Sequence, residues 1–209
     1  MSTGQNIVDR VRVTTQDQDS DSYRVSDAQM LRFLNDGLKE AAILRPDLFT
    51  QIGDIPLADD TALQSAPAGA LILVDIFSIK AGAAVIEARR SDLDGFDRSW
   101  YQSTPGAAEN WARHPKQPTQ FFVYPRSTGS QILTGQWSAP PSDLATLNES
   151  LPSDFSPAYD TALHHYIVFR VEAMDDEHVM SGRAQLFSAA FSTLLGVGVQ
   201  TKQAMETKQ

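Results

Sequence analysis

The sequence contains no cysteine among its 209 residues. Disulfide bonds, thiolate nucleophiles and zinc sites with cysteine ligands are therefore excluded. No apolar run approaches the roughly 20 residues needed to cross a membrane. Residues 1–12 lack the basic and apolar parts of a signal peptide. We therefore expect no membrane contact, and the absence of cysteine is consistent with synthesis in a reducing cytoplasm.

Basic residues are few, with 17 Lys and Arg against 26 Asp and Glu, which gives a net charge of −9. Nucleic-acid binders need clustered Lys and Arg to neutralise phosphates. Here Arg89 and Arg90 form the one adjacent basic pair. This charge pattern argues against a nucleic-acid-binding protein. The hydrophobic share of 42% and the charged share of 21% still predict a packed globular core.

The motifs of common active sites are missing. The sequence has no GxGxxG, GxxxxGK[ST], HExxH or GxSxG pattern and no calcium-binding loop. The best candidates for chemistry are His164 and His165, with Asp160 one helical turn before His164. Adjacent histidines on a helix point about 100° apart, and two ligands are too few for catalytic zinc. We therefore predict no catalytic residue, no metal site and no cofactor.

Helix signals concentrate at the two ends of the chain. A short helix is expected over residues 6–15. Ser26 and Gln29 form a capping box that opens a second helix, which Pro46 ends. Residues 156–196 predict a pair of helices, each with apolar residues on one face and Gly196 at the end.

The middle of the chain predicts a different structure. Residues 70–79 form a nearly continuous apolar run, typical of a buried strand. Residues 121–124 and 132–137 predict a hairpin, because the segment between them has turn composition. Segment 50–68 is rich in Asp, Gly, Pro and Ala, with short apolar pieces such as Ile55 and Leu57. Segment 102–118 contains three prolines and predicts irregular structure, in which residues 107–112 could form a turn of helix. Trp100, Trp111 and Trp137 lie in this region, where tryptophans more often pin loops or form subunit contacts than line a ligand groove.

These patterns predict an α+β fold that is mainly α. Residues 1–48 and 153–198 would form a discontinuous helical bundle. Residues 49–152 would form a small β-rich subdomain inserted into it. Residues 199–209 would form a flexible polar tail.

Several segments, taken in order, resemble the adaptor or head–tail connector proteins of short-tailed phages. The segments are LRFLNDG at 31–37, RPD at 45–47, LILVD at 71–75, FFVYP at 121–125, LP at 151–152 and YDTAL at 159–163, followed by Tyr166, Arg170, Asp175, Arg183 and Phe191. Each segment alone is short, but their order and spacing cover most of the chain.

The resemblance implies a structural virion protein without enzymatic activity. It implies a ring, expected to have twelve copies, that binds the portal protein, contacts the tail nozzle or tail fibres, and extends the channel. DNA would pass through this channel without sequence-specific binding and be ejected through it. We expect the C-terminal tail to order on a partner such as the portal. The expected contact residues are Val199, Gln200, Thr201, Lys202, Gln203, Ala204 and Met205.

Two alternatives stay open from the sequence. The first is another head–tail connector, such as a stopper or a tail-completion protein. The second, from a different class, is a small-molecule-binding module or enzyme that uses the aromatic middle segment.

Overall fold

The computed structural model describes residues 2–153, 155–174 and 181–196. Within them the helices are α1 (Gly4–Thr15), α2 (Asp27–Leu44), α3 (Arg90–Phe96), α4 (Asp160–Glu172) and α5 (Ser181–Leu194). The strands are β1 (Thr50–Pro56), β2 (Leu63–Ser65), β3 (Ile72–Ile79), β4 (Ile86–Glu87), β5 (Asn110–Arg113), β6 (Gln120–Tyr124) and β7 (Ile132–Ser138). The 3₁₀ turns are Pro46–Leu48, Trp100–Gln102 and Pro157–Tyr159.

The chain divides into two compact units. One combines Met1–Phe49 with Pro141–Gln209 and is called the helical unit. The other is Thr50–Pro140 and is called the β unit.

The centre of the helical unit is α4, which packs against α1, α2 and α5. Its buried residues are spread around the whole helix: Ala162, Leu163, His164, Tyr166, Ile167, Val168, Val171 and Glu172. A helix that is buried on every side belongs in a core. The sequence predicted a single buried face for this helix, and the structure shows that its neighbours enclose it.

The predicted start of α2 is confirmed. The Ser26 hydroxyl accepts a hydrogen bond from the Gln29 backbone N–H at 3.3 Å, as expected of a helix N-cap. Thr3 caps α1 in the same way through the N–H of Asn6. At its other end α1 stops at Gln16, which adopts the left-handed conformation with φ of 60°. That conformation is unfavourable for a residue with a Cβ.

A buried ion pair ties the loop between α1 and α2 to α1. Arg12 and Asp17 are only 4% and 7% exposed, and Arg12 Nη1 lies 2.9 Å from Asp17 Oδ2. Arg12 Nη2 also pairs with Asp27 Oδ1 at 2.5 Å. Asp27 thus gives Arg12 a second carboxylate partner. The backbone N–H groups of Arg24 and Val25 donate hydrogen bonds to the Asp17 carboxylate. Buried charges need such partners.

The β unit contains two sheets. In the first the strand order is β1-β7-β3, all antiparallel. In the second the order is β2-β6-β5-β4, with β4 parallel to β5 and the other pairs antiparallel. Alternate residues of β6 face opposite sides of its sheet. Phe121 and Val123 join one core cluster, while Phe122 joins another.

The larger cluster lies between the inner faces of the two sheets. The first sheet contributes Ile55, Leu73, Ile76, Leu133 and Trp137, and the second contributes Trp111, Phe121 and Val123. The smaller cluster covers the other face of the second sheet, where Leu93 of α3 and Trp100 pack on Phe122. Gly135 allows close packing, since a Cβ there would lie 2.9 Å from the carbonyl oxygen of Asp75.

The predicted fold class is wrong. The described residues contain five helices and seven strands in two sheets, with 39% helix and 22% strand, rather than a helical bundle with a small β insertion. Segment 50–68, for which the sequence predicted no strand, includes β1 and β2, and segment 102–118, predicted as irregular, includes β5. The predicted hairpin of residues 121–124 and 132–137 is also wrong, because β6 and β7 belong to different sheets.

Candidate interaction surfaces

The two adjacent histidines of α4 face neighbouring helices, with His164 buried and His165 half-buried. His164 is 8% exposed, and its Nε2 lies 2.9 Å from the Thr14 hydroxyl of α1. The His164 and His165 rings are 5.2 Å apart, and the His165 ring is 5.1 Å from Phe187 of α5. Burial, with a further contribution from the charge of His165 and of Arg10, lowers the pKa of His164 to about 4. His164 is therefore neutral at pH 7 and serves packing.

The described residues do not assemble a metal site around these histidines. No group of three or more His, Asp and Glu that could hold a metal ion occurs among them. Asp160 is instead engaged by the hydroxyl of Ser2. The histidine pair therefore lacks the third ligand that zinc requires. The same residues include no helix with the length and apolar character of a membrane span.

The three tryptophans form part of the β unit's interior. Trp100, Trp111 and Trp137 are 4%, 0% and 8% exposed. Trp100 and Phe122 pack edge to face with centroids 5.5 Å apart. Such geometry is typical of aromatic core packing. An aromatic ligand groove built on these tryptophans, the basis of the small-molecule alternative, therefore has no support from their positions.

The C-terminal end of α5 is held firmly by Arg45. Arg45 Nη1 donates to the Leu195 carbonyl at 2.5 Å, and the same guanidinium binds both carboxylate oxygens of Asp47. The hydrogen bonds with Asp47 raise the pKa of Arg45, so that it stays charged. Lysine or arginine commonly stabilises the last carbonyls of a helix. The predicted helix end at Gly196 is consistent with its φ of 70°.

Exposed apolar side chains lie close in sequence to this contact. Ile43 is 60% exposed, and Leu194 is 44% exposed. Each lies within two residues of the Arg45–Leu195 hydrogen bond. The predicted contact residues, 199–205, follow directly and lie outside the described residues.

A cleft of about 430 Å³ opens in the β unit. We call it the arginine cleft, because its lining residues are Glu87, Ala88, Arg89, Arg90 and Arg113. Arg89 and Arg90 are adjacent in the sequence, but nothing in the sequence indicates that Arg113 lies beside them. It reaches the cleft because β4 pairs with β5, and no local pattern signals a parallel pair of two-residue length.

A second charged feature lies on the helical unit. Every residue from 18 to 23 is exposed, and this stretch contains Asp19 and Asp21. We call residues 18–22 the acidic loop. The Asp19 carboxylate accepts hydrogen bonds from the Ser22 hydroxyl and the Asp21 backbone N–H. These two bonds, with that from Ser22 the stronger, lower the pKa of Asp19, which keeps the loop negatively charged.

Comparison with known proteins supplies the identity that the surfaces alone lack. No curated protein matches the chain. The family model of the SU10 adaptor protein matches residues 2–208, which is all but the first and last residue. This match confirms the resemblance based on segments 31–37, 71–75, 121–125 and 159–163. The chain belongs to the SU10 adaptor protein family and is thus a phage adaptor protein and a virion component.

Proposed function

We propose that this protein forms a ring that joins the portal to the tail nozzle or tail fibres and extends the DNA channel. Membership of an adaptor family over nearly the whole chain carries the proposal. An adaptor role favours a structural function over an enzymatic one. Twelve copies would match the symmetry expected of the portal. DNA would pass through the ring without sequence-specific contacts.

The organisation of each copy supports a ring. Neighbours in a ring meet head to tail, so each copy must offer two different surfaces. The helical unit and the β unit are separate compact bodies, and each has its own buried core. We propose that they act as different contact bodies, with the insertion lying within the predicted range 49–152.

We also propose that residues 199–205 dock on the portal. The support is the anchored end of α5, where Arg45 binds the Leu195 carbonyl. Residues 199–205 follow this end of α5 closely in the sequence, so the proposed docking segment is attached near a fixed point of the helical unit. The segment is polar and includes Lys202 together with the apolar Val199 and Met205, a composition that can order on binding.

The ring is tested by mixing the purified chain with the portal protein of the same phage. Mass photometry and electron microscopy should show single copies alone and about one adaptor per portal subunit in the mixture. Closed rings in the absence of the portal would instead indicate a stopper or tail-completion protein. Binding only to portals that already carry another connector protein would indicate the same. A chain that never associates with the portal would refute the proposal.

Deletion of residues 199–209 tests the docking segment. We expect an unchanged circular dichroism spectrum and at least about tenfold weaker portal binding, because the deletion removes contacts and not core residues. Deletion of residues 206–209 alone is the matched control and should bind like the full chain. If the longer deletion fills portals as well as the full chain does, the docking role of residues 199–205 is refuted, whereas the proposed ring is not.

A further inference from the structure

We propose that the arginine cleft of one copy receives carboxylates from the acidic loop of the neighbouring copy. The inference rests on the proposed ring and names one of its subunit contacts. It depends on three features: a prearranged guanidinium, cations without a strong partner among the described residues, and an excess of acidic residues in the helical unit.

Arg113 is held in place from several sides. Its Nε donates to Glu87 Oε1 at 2.8 Å, and its Nη1 donates to the Leu73 carbonyl at 3.0 Å. Its Nη2 donates to the Val74 carbonyl, and its Cζ lies 4.9 Å from the Trp111 ring centroid. Of the five N–H donors of a guanidinium, these bonds use three. The side chain is nonetheless 49% exposed, so the remaining donors have a fixed direction at the cleft.

The other two arginines have little to hold them within the chain. The Arg89 side chain has no ion pair or hydrogen bond with any residue that the structure describes. Arg90 lies 3.5 Å from Asp94, and both side chains are about half exposed, an arrangement that contributes little in water. The cleft therefore contains three guanidinium groups and a single carboxylate, Glu87, which Arg113 already binds.

The ligand that fits this donor set is a carboxylate. Guanidinium groups present paired N–H donors that match the two oxygens of a carboxylate. A phosphate would match as well, and DNA in the proposed channel is one source of it. The net charge of −9 means that every neighbouring copy also offers an excess of carboxylates, which favours the next copy as the ligand. The helical unit holds 17 of the 26 acidic residues and 10 of the 17 basic ones, so its excess of acidic residues is larger than that of the β unit. The helical unit is therefore the better source of carboxylates for the arginine cleft.

Within the helical unit the acidic loop is the best candidate to enter the cleft. Its residues are all exposed. The Asp21 carboxylate has no hydrogen bond or ion pair among the residues that the structure describes. Asp17, by contrast, is buried with Arg12 and is unavailable. A contact between the loop of one copy and the cleft of the next has the head-to-tail character that a ring needs.

Charge reversal tests the contact on assembled portals. The variant Arg89→Glu with Arg90→Glu places carboxylates opposite the loop, and the variant Asp19→Lys with Asp21→Lys places cations opposite the cleft. Each variant alone should need at least about tenfold more protein to fill the portal, because like charges face each other at every contact. A one-to-one mixture should recover most of the loss, because alternating copies restore opposite charges throughout an even-numbered ring.

The control is Arg98→Glu with Lys116→Glu, two exposed cations of the β unit outside the cleft lining; it makes the same charge change and should assemble normally. Assembly of both reversal variants at wild-type concentrations would refute the contact but not the ring. If the one-to-one mixture does not recover portal filling, the contact between cleft and loop is also refuted. DNA phosphate or another virion protein would then be the expected ligand of the cleft. Failure of the unaltered chain to bind portals would count against the proposed function itself.

Discussion

Lowering the pH from 7 to 5 should destabilise the helical unit by about 2 kcal/mol through His164 alone. Burial between α1, α4 and α5 disfavours the charged imidazole, and so lowers the pKa of His164 from 6.5 to about 4. In the unfolded chain the ring has its ordinary pKa and takes up a proton below pH 6.5. The unfolded state therefore binds more protons than the folded state between these two values.

Stability must then rise with pH across this window. The contribution is fully present above about pH 7.5, declines as the pH falls through 6.5, and levels off only below the folded pKa of about 4. At pH 5 the unfolded ring is almost fully protonated and the folded ring is about 10% protonated, which yields the figure of about 2 kcal/mol. Burial and the charge of Arg10 also lower the pKa of His165, so this second ring acts in the same direction.

Urea denaturation at pH 5, 6, 7 and 8 measures the effect, with far-ultraviolet circular dichroism reporting the helices. All three tryptophans, Trp100, Trp111 and Trp137, lie in the β unit, so their fluorescence reports that unit in the same samples. The variant His164→Gln cannot titrate and should lose most of the pH dependence of the helical signal. Equal stability of the native helices at pH 5 and 7, or full pH dependence in His164→Gln, would refute this account of the site.

Two further predictions concern the α1–α2 loop. Asp17→Asn should lower the free energy of unfolding by about 3 kcal/mol, because it breaks a buried ion pair. The value is at the low end for such a change, since Asp27 still binds Arg12. An effect below about 1 kcal/mol in urea denaturation would show that the pair is not buried in solution. Gln16→Gly should stabilise the chain by up to about 1 kcal/mol, because glycine adopts the φ of 60° at the end of α1 without steric cost. Gln16→Ala is its control, and a comparable gain in that variant would contradict the conformational explanation.

Features that depend on neighbouring residues were predictable from the sequence. The start of α2 rests on Ser26 and Gln29, three positions apart, and the structure places the expected hydrogen bond there. The end of the last helix near Gly196 likewise rests on a local conformational preference. In both cases the interaction is complete within one turn of helix, so the sequence pattern contains all of its parts.

The strand β1 shows why the fold class was wrong. Its sequence includes Gly53, Asp54 and Pro56, which are all depleted in strands. The strand forms because each of its residues pairs with β7, from Thr50 opposite Ser138 to Pro56 opposite Ile132. Pro56 is tolerated because β1 is an edge strand. A partner about eighty residues away leaves no trace in the local pattern.

The false hairpin has a related cause. Phe121, Val123, Leu133 and Trp137 do belong to one hydrophobic core, as their apolar character suggested. They reach that core from opposite sides, however, because β6 and β7 lie in two facing sheets. Alternation shows which side chains are buried, but it does not distinguish hydrogen-bonded neighbours from strands that face each other across a core.

The candidate contact residues were the least predictable part, and the reason is physical. Arg89 and Asp21 lie on the surface and contribute little to folding, so no periodicity or capping pattern marks them. What distinguishes them is that their side chains have no hydrogen bond or ion pair with any residue that the structure describes, whereas Arg113 beside Arg89 is fixed by two carbonyls and Glu87. The order of local segments is therefore enough to indicate the family, whereas a candidate contact such as the proposed one requires the folded arrangement of Arg89, Arg90 and Arg113.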